Sequence, residues 1–174
     1  GYLSSFDGTK LFYSVEGQGY PLIFCYGLVC SSLHWTYQIE FLRHHYRTIW
    51  FDYRGHHNSE MPKNTSTLNL ESITKDLYAL LEELKIPKAV ILGHSMGVNI
   101  ALEFFHKYPD RTAGLVLVNG TARRPLEKLF KTNATTVIFD ALHKIYKISP
   151  AIMRKLFALQ KNNPIAKSMV AFGG

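Results

Sequence analysis

The sequence predicts an α/β fold with a mainly parallel sheet and a helical segment at the C-terminal end. Two observations lead to this prediction. Continuous apolar runs of strand length, such as Pro21–Tyr26 and Ala89–Leu92, are typical of strands buried on both faces of a parallel sheet. These runs alternate with helical patterns up to Thr121, after which only helical patterns follow. Such alternation predicts parallel strands joined by right-handed crossovers.

The predicted elements follow one another with short breaks. Residues 1–16 predict a hairpin with Asp7-Gly8 at its turn, and Asn69 is the expected N-cap of a helix with an i,i+4 ion pair between Glu71 and Lys75. The predicted strands are Tyr2–Phe6, Lys10–Glu16, Pro21–Tyr26, Arg47–Phe51, Lys88–Leu92 and Ala113–Val118, and the predicted helices are His34–Arg43, Leu70–Leu84 and Val98–Tyr108.

Charge divides the chain into two parts. Residues 123–174 carry ten basic and two acidic side chains, a net charge of +8, so residues 1–122 carry −1 of the total of +7. The charge split predicts two regions with different surroundings, an α/β part, residues 1–122, and a basic helical segment, residues 123–174, which is called the cap below. Solvated helix faces explain the basic cap, and contact with an anionic membrane or an acidic substrate is a second interpretation. Base-reading motifs are not evident, so we expect no nucleic-acid partner.

Cysteine usage and hydropathy add two expectations. Cys25 and Cys30 lack the spacing of metal ligands and are interpreted as reduced structural residues. The sequence as a whole implies neither a metal nor an organic cofactor. A signal peptide and a membrane-spanning run are not evident in the sequence. The sequence leaves the compartment open and favours the cytoplasm.

The stretch Gly93-His94-Ser95-Met96-Gly97 carries the strongest chemical signal. It lies between a predicted strand and a predicted helix, which is the context that a G-x-S-x-G nucleophile motif requires. Glycines at its two ends remove Cβ atoms that would collide as strand and helix cross. We expect a strained turn that exposes the Ser95 hydroxyl near a helix N-terminus, where free N–H groups favour negative charge.

Two more motifs follow predicted strands, where parallel sheets place their sites. They are Tyr26-Gly27-Leu28 and the loop Asp52-Tyr53-Arg54-Gly55-His56-His57-Asn58-Ser59. In this order, with the serine turn, they resemble the oxyanion loop, the D-x-R-G-x-G-x-S loop and the nucleophile elbow of the α/β-hydrolase fold family. The resemblance covers residues 1–122, whereas residues 123–174 match only in position, as the cap of that family. Its single-domain esterases, perhydrolases and C–C hydrolases look most similar.

The resemblance implies a serine hydrolase that cleaves a carboxylic ester or related acyl bond of a small hydrophobic substrate. Ser95 would form an acyl intermediate, and the backbone N–H groups of Met96 and Leu28 would stabilise the oxyanion. A serine at this position argues against the dehalogenase and epoxide-hydrolase branches, which have aspartate there. The remaining implied site residues are the structural glycines Gly93, Gly97 and Gly27 and the substrate-pocket candidates Tyr26, His94 and Asn119.

The chain departs from the family pattern at three points. Tyr26 replaces the usual histidine, and His57 stands where the family has a second glycine. The acid and histidine of the family follow further strands, which this chain does not contain. We therefore expect a sheet truncated before its last strands and a piece of a longer protein. The remaining C-terminal part, on the same or a second chain, would supply base and acid.

Other readings of the same residues stay open. Histidines already present, including His94, His56 and His57, are not expected to act as the base. A rival function from another class is a non-catalytic hydrolase-fold protein that binds a small hydrophobic ligand as a receptor or scaffold. Perhydrolase or C–C bond hydrolase chemistry on the same serine is an alternative within enzymology.

Overall fold

A computed structural model describes residues 1–28 and 30–120. Its strands are β1 (Tyr2–Ser4), β2 (Lys10–Glu16), β3 (Pro21–Cys25), β4 (Arg47–Phe51), β5 (Ala89–His94) and β6 (Thr112–Val118), and its helices are α1 (Thr36–Leu42), α2 (Leu70–Glu83) and α3 (Met96–Lys107). This order confirms the predicted alternation of strands and helices. The predicted cap, residues 123–174, lies outside the described residues, so the division at residue 122 stays a prediction.

All six strands form one sheet in the order β1-β2-β4-β3-β5-β6. The hairpin β1-β2 is antiparallel and pairs with β4 in the antiparallel sense, while β4, β3, β5 and β6 are parallel to one another. At the centre of the sheet, Ile23 pairs with Ile49 on one side and with Ile91 on the other, and all three are fully buried. The mainly parallel sheet predicted from the apolar runs is therefore confirmed.

Helix α2 shows why its sequence pattern was informative. The side chain of Asn69 accepts a hydrogen bond from the N–H of Ser72 at 2.8 Å, and Lys75 lies 3.0 Å from Glu71, as predicted. Its buried face contributes Ile73, Leu77, Leu80 and Leu81 to the core. Among the helices of the described residues, none has the length and apolar character that a membrane crossing requires.

Among the predicted boundaries that differ from the structure, two differ because local hydrogen bonds intervene. Helix α1 begins at Thr36, later than predicted, because Ser32–Trp35 form a short 3-10 helix first. Strand β1 ends at Ser4, earlier than predicted, because the carbonyl of Ser5 accepts from the N–H of Gly8 at 2.9 Å and begins the turn. Both differences shorten an element and leave its position in the fold unchanged.

Arg54, in the loop after β4, is fully buried and joins three parts of the chain. Its guanidinium donates to both carboxylate oxygens of Asp76 in α2, at 2.7 and 2.6 Å, and to Asp7 in the hairpin turn at 2.8 Å. It also donates to the Ser5 hydroxyl at 3.2 Å, and that hydroxyl in turn donates to Asp76. A buried charge requires such partners, so this cluster holds the hairpin, the loop and α2 together.

Strand β6 forms one edge of the described sheet, with β5 as its neighbour. Val116 and Leu117 are 44% and 46% exposed, which is unusual for apolar side chains in a parallel strand. Within residues 1–28 and 30–120, the sheet thus ends at an apolar edge, as expected of a sheet truncated before its last strands. Uncovered edges of this kind favour pairing with further polypeptide.

Candidate active site

Ser95 is an exposed residue in the turn between β5 and α3. The strand extends to His94 and the helix begins at Met96, so the turn is shorter than predicted and consists of Ser95 alone. Its φ of 54° and ψ of −116° lie in a region that residues with a side chain rarely adopt. The N–H of Ser95 donates to the carbonyl of Val118 at 3.1 Å, and its carbonyl accepts from Val98 at 3.0 Å. Strand β6 and helix α3 thereby hold the strained serine in place.

The glycines at both ends of this motif leave no room for a side chain. A Cβ atom at Gly93 would lie 2.8 Å from the backbone nitrogen of Val98 and would collide with the carbonyl oxygen of Gly97. At Gly97 it would lie 2.7 Å from the carbonyl carbon of Cys25 and would overlap its oxygen. These neighbours are backbone atoms that cannot rotate away. The close crossing of strand and helix therefore requires glycine at both positions.

The two residues predicted to supply oxyanion donors lie beside Ser95. Met96 is the first residue of α3, where backbone N–H groups have no acceptor within the helix. Leu28 is exposed and follows Gly27, whose backbone packs against the serine. A Cβ atom at Gly27 would lie 3.4 Å from Ser95 Oγ and 3.1 Å from its Cβ. Met96 thus adjoins Ser95 in sequence and Leu28 adjoins it through Gly27, and their use as donors remains a prediction.

Tyr26, a predicted pocket residue, is fully buried at the end of β3. Its hydroxyl accepts from the N–H of Tyr53 at 3.1 Å, its carbonyl accepts from the Tyr53 hydroxyl at 2.8 Å, and the two rings stack at 4.2 Å. Burial raises the pKa of the Tyr26 phenol above its usual value, so it stays neutral at physiological pH. Through its contacts with Tyr53, Tyr26 supports the backbone that leads into Gly27. Its role in a substrate pocket stays a prediction.

His94, also predicted to line a pocket, is half-buried at the end of β5. Its ring stacks on that of His34 at 4.3 Å and meets the edge of Trp35. Its Nδ1 is buried and has no hydrogen-bond partner among the described residues. Burial, and after it the nearby His34, lower the pKa of His94 from its usual value, which favours a neutral ring. The imidazole of His94 lies against Gly27. Its role in a substrate pocket stays a prediction.

The loop after β4 is organised by Asp52, which is 3% exposed. Its Oδ2 accepts from the backbone N–H of Asn58 at 3.1 Å and from the Asn58 side chain at 3.0 Å. Its carbonyl accepts from the hydroxyl of Ser59 at 2.6 Å, and that hydroxyl accepts from the N–H of Phe12 in β2 at 2.9 Å. Asp52 and Ser59 therefore fix the loop to the sheet.

Asn119, the third pocket candidate, is exposed at the end of β6 with a φ of 47°. It follows Val118, whose carbonyl binds the N–H of Ser95, so it lies one residue from the serine turn. Its assignment to a substrate pocket remains a prediction. Across the parts of the chain that the structure describes, no group of three or more His, Cys, Asp and Glu side chains is arranged to hold a metal ion.

Two contacts near the carboxyl ends of the parallel strands are not predicted by the sequence. Arg54 was recognised only as part of a loop motif, and nothing in the local pattern pointed to Asp76 or Asp7. His57 was recognised only as a replacement for glycine, while in the structure its Nε2 lies 2.9 Å from the carbonyl oxygen of Cys30. The histidine in place of glycine is the signal in the sequence that points to this contact.

Comparison with known proteins gives a consistent result. The family model for the alpha/beta hydrolase fold matches residues 20–166. A non-heme chloroperoxidase from Streptomyces lividans is 36% identical over 123 residues, which cover 68% of this chain and 44% of that protein.

Solved structures of esterases and epoxide hydrolases superimpose on the chain. An esterase from Exiguobacterium antarcticum superimposes with a TM-score of 0.73 and 26% identity, covering 91% of this chain and 60% of that one. An epoxide hydrolase from Bacillus megaterium gives a TM-score of 0.68 and 26% identity, covering 76% of this chain and 46% of that one. The chain thus spans about half the length of the proteins it matches.

Proposed function

Because the chain belongs to the α/β-hydrolase fold family, we propose that it is the nucleophile-bearing part of a serine hydrolase. Its substrate would be a small hydrophobic molecule with a carboxylic ester or related acyl bond. The observation that carries the proposal is the geometry of Ser95, which is exposed at a strained turn between two close-packed glycines. Such a turn presents the hydroxyl to a substrate while the surrounding elements hold the strain.

In the proposed reaction, Ser95 Oγ forms a bond to the acyl carbon while its proton passes to a histidine base. The carbonyl oxygen becomes an oxyanion, which the N–H groups of Met96 and Leu28 stabilise. Collapse of this intermediate breaks the bond to the alcohol oxygen, which takes the proton from the histidine and leaves acyl-Ser95. Water, deprotonated by the same histidine, then releases the acid and restores the serine.

The base and its orienting acid belong, in this proposal, to polypeptide other than the described residues. His94 is a poor candidate because its ring is stacked on His34 and its Nδ1 is buried against Gly27. The Streptomyces lividans relative is more than twice as long as the part of it that this chain covers. We therefore propose that the rest of the hydrolase, continuing this chain or on a second chain, supplies both groups.

Serine at the apex of the turn favours acyl transfer over epoxide opening. The chain resembles both esterases and epoxide hydrolases in fold, so the fold alone does not choose between them. The epoxide-hydrolase branch of the family has aspartate where this chain has Ser95. Acyl transfer through a serine ester is therefore the chemistry that this residue supports.

A second candidate reaction uses the same acyl-Ser95. The relative with 36% identity is named a chloroperoxidase, which favours hydrogen peroxide as an alternative attacking group. Peroxide would replace water in the second half-reaction, breaking the Ser95 ester and releasing a peracid. Product analysis with and without peroxide separates the two reactions, because an esterase yields only the carboxylic acid.

The experiment that tests the proposal is intact-mass spectrometry of the full-length protein after incubation with a fluorophosphonate probe. We expect one adduct, located on Ser95 by peptide mapping, together with hydrolysis of p-nitrophenyl butyrate. The S95A variant, with its fold verified by circular dichroism, should lose both. An unlabelled Ser95 in a protein that still binds hydrophobic ligands would favour the non-catalytic rival instead.

Membrane contact by the basic cap is a separate proposal that rests on charge alone. Residues 123–174 carry a net charge of +8, which anionic lipid headgroups attract. Cosedimentation of the full-length protein with phosphatidylserine vesicles, but not with phosphatidylcholine vesicles, is the expected result. Binding to neither type would leave the solvated helix face as the explanation.

A further inference from the structure

His57 has a backbone conformation that the hydrolase pattern reserves for glycine. Its φ is 46°, in the left-handed region, and glycine is the residue that adopts such an angle at no steric cost. Histidine is among the side-chain-bearing residues found there more often than average, but the conformation is still unfavourable. A residue kept in such a conformation suggests that its side chain has a function in the folded protein.

The side chain of His57 binds the turn that follows β3. Its Nε2 lies 2.9 Å from the carbonyl oxygen of Cys30. A carbonyl oxygen only accepts, so Nε2 carries the proton and donates. Both the neutral Nε2–H tautomer and the imidazolium can make this bond. Its ring also meets that of Tyr26 edge-on at 6.1 Å, which orients the imidazole.

The turn that His57 binds begins at Gly27, next to the proposed nucleophile Ser95. The N–H of Cys30 donates to the carbonyl of Gly27 at 3.2 Å and so closes the turn. Gly27 packs against Ser95, and Leu28, within the turn, supplies the proposed second oxyanion donor. Tyr53 supports the start of the turn through its bonds to Tyr26. His57 supports its far end, so the backbone around Leu28 is held from both sides.

We propose that His57 is a positioning residue that fixes the oxyanion turn, the turn closed by the bond from the N–H of Cys30 to the carbonyl of Gly27, relative to Ser95. This inference rests on the proposed acyl-transfer function and adds a residue at a position where the family pattern has glycine. Glycine at position 57 relieves the backbone strain but provides no donor for the Cys30 carbonyl. Histidine at position 57 therefore costs backbone strain, but its side chain fixes the position of the proposed oxyanion donor. Misplacing such a donor lowers the rate of the chemical step more than it lowers substrate binding.

The test compares H57G, H57Q and H57N in the full-length protein. Gln places an amide N–H about as far from its Cβ as His places Nε2, whereas Asn tolerates positive φ but is too short to reach. The matched control is H56Q, because His56 lies next in the chain and binds the carbonyl of Arg54 rather than the turn. Measured quantities are the melting temperature, the rate constant of fluorophosphonate labelling, and kcat and KM for p-nitrophenyl butyrate.

We expect H57G and H57N to lower the labelling rate constant and kcat about tenfold or more, with KM within about threefold. The melting temperature of H57G should be equal to or above that of the unmodified protein, since the left-handed strain is gone. H57Q should recover most of the rate, and H56Q should retain it. A residue with a purely structural role would instead lower stability and activity together.

Three results would overturn the inference, and they differ in whether the proposed function survives. If Ser95 is labelled normally in H57G and H57N while S95A is unlabelled, His57 does not position the turn and the proposed function stands. If Ser95 is not labelled even in the unmodified protein, the proposed function fails and the inference fails with it. Loss of rate in H57Q equal to that in H57G also overturns it, because the donor would then be irrelevant.

Discussion

Backbone strain in the described residues is concentrated where three parallel strands end. Among residues 1–28 and 30–120, the non-glycine residues with positive φ are His57, Lys85, Ser95 and Asn119. His57 lies in the loop after β4, Ser95 follows β5 and Asn119 follows β6. Strained residues persist only where their surroundings hold them, and such residues cluster at functional sites. The motifs predicted the site at the carboxyl ends of the parallel strands, and the strained residues lie at these same ends.

At the same scale, Gly97→Ala should damage both stability and the serine turn. The added methyl group would overlap the backbone of Cys25, so we expect a loss of about 1–3 kcal/mol in the free energy of unfolding and slower labelling of Ser95. Urea unfolding and fluorophosphonate labelling measure the two effects. In the control G114A the new methyl contacts Val90 at an ordinary 3.7 Å, so no loss is expected. Equal behaviour of the two variants would contradict the crowding seen here.

Breaking the buried ion pair of Arg54 is the second prediction for a single residue. Asp76 and Arg54 have fully buried side chains, so Asp76→Asn leaves the guanidinium with only the partly exposed Asp7 as its charge partner and should cost up to about 3–5 kcal/mol in urea unfolding. Glu71→Gln is the matched control, since Glu71 forms an exposed pair with Lys75, and no resolvable change is expected. A loss in D76N no larger than in the control would show that Arg54 finds other partners.

At the scale of elements, local pattern predicted most of the fold. Apolar runs and their breaks gave all six strands, and Asn69 marked the start of α2, because these signals depend on neighbours in sequence. Contacts between distant segments were not predictable in this way. Arg54 lies 22 residues from Asp76 and 49 residues from Ser5 in the sequence, and no local spacing predicts these contacts. The same limit hid the bond from His57 to the oxyanion turn.

The cap of α2 gives a prediction at this scale. Replacing Asn69 by alanine removes the acceptor for the N–H of Ser72, and we expect a loss of about 1 kcal/mol in the free energy of unfolding. Serine at the same position should retain most of the stability because its hydroxyl also accepts this bond. Thermal or urea unfolding of N69A and N69S decides the matter, and equal losses would exclude capping as the cause.

At the scale of the whole molecule, acid should loosen the link between the hairpin and the rest of the sheet. Burial opposes ionisation of Asp7, but the hydrogen bonds from Thr9 and the charge of Arg54 outweigh it and lower the pKa of Asp7 to about 2. A lowered folded-state pKa stabilises the protein above the ordinary value of 3.8. That contribution declines as pH falls toward 2, where Asp7 becomes protonated.

Urea unfolding of the full-length protein between pH 6 and pH 2 measures this dependence against D7N. The difference in the free energy of unfolding between the two proteins should be largest near pH 6 and should shrink as pH falls below about 4. Because other carboxylates titrate in both proteins, the comparison isolates Asp7. A difference that stays constant down to pH 2 would contradict the proposed link.

The hydrogen bond from Ser95 to the carbonyl of Val118 also sets an order of events during biosynthesis. The serine turn is synthesised before β6. The N–H of Ser95 therefore has no access to the carbonyl of Val118 until β6 has left the ribosome. Parallel strands pair only after the intervening helix has been made, and such non-local pairing is slow. Until β6 has docked, Ser95 therefore lacks one of the two backbone hydrogen bonds that hold its strained turn, and the turn is fixed only once this part of the sheet is complete.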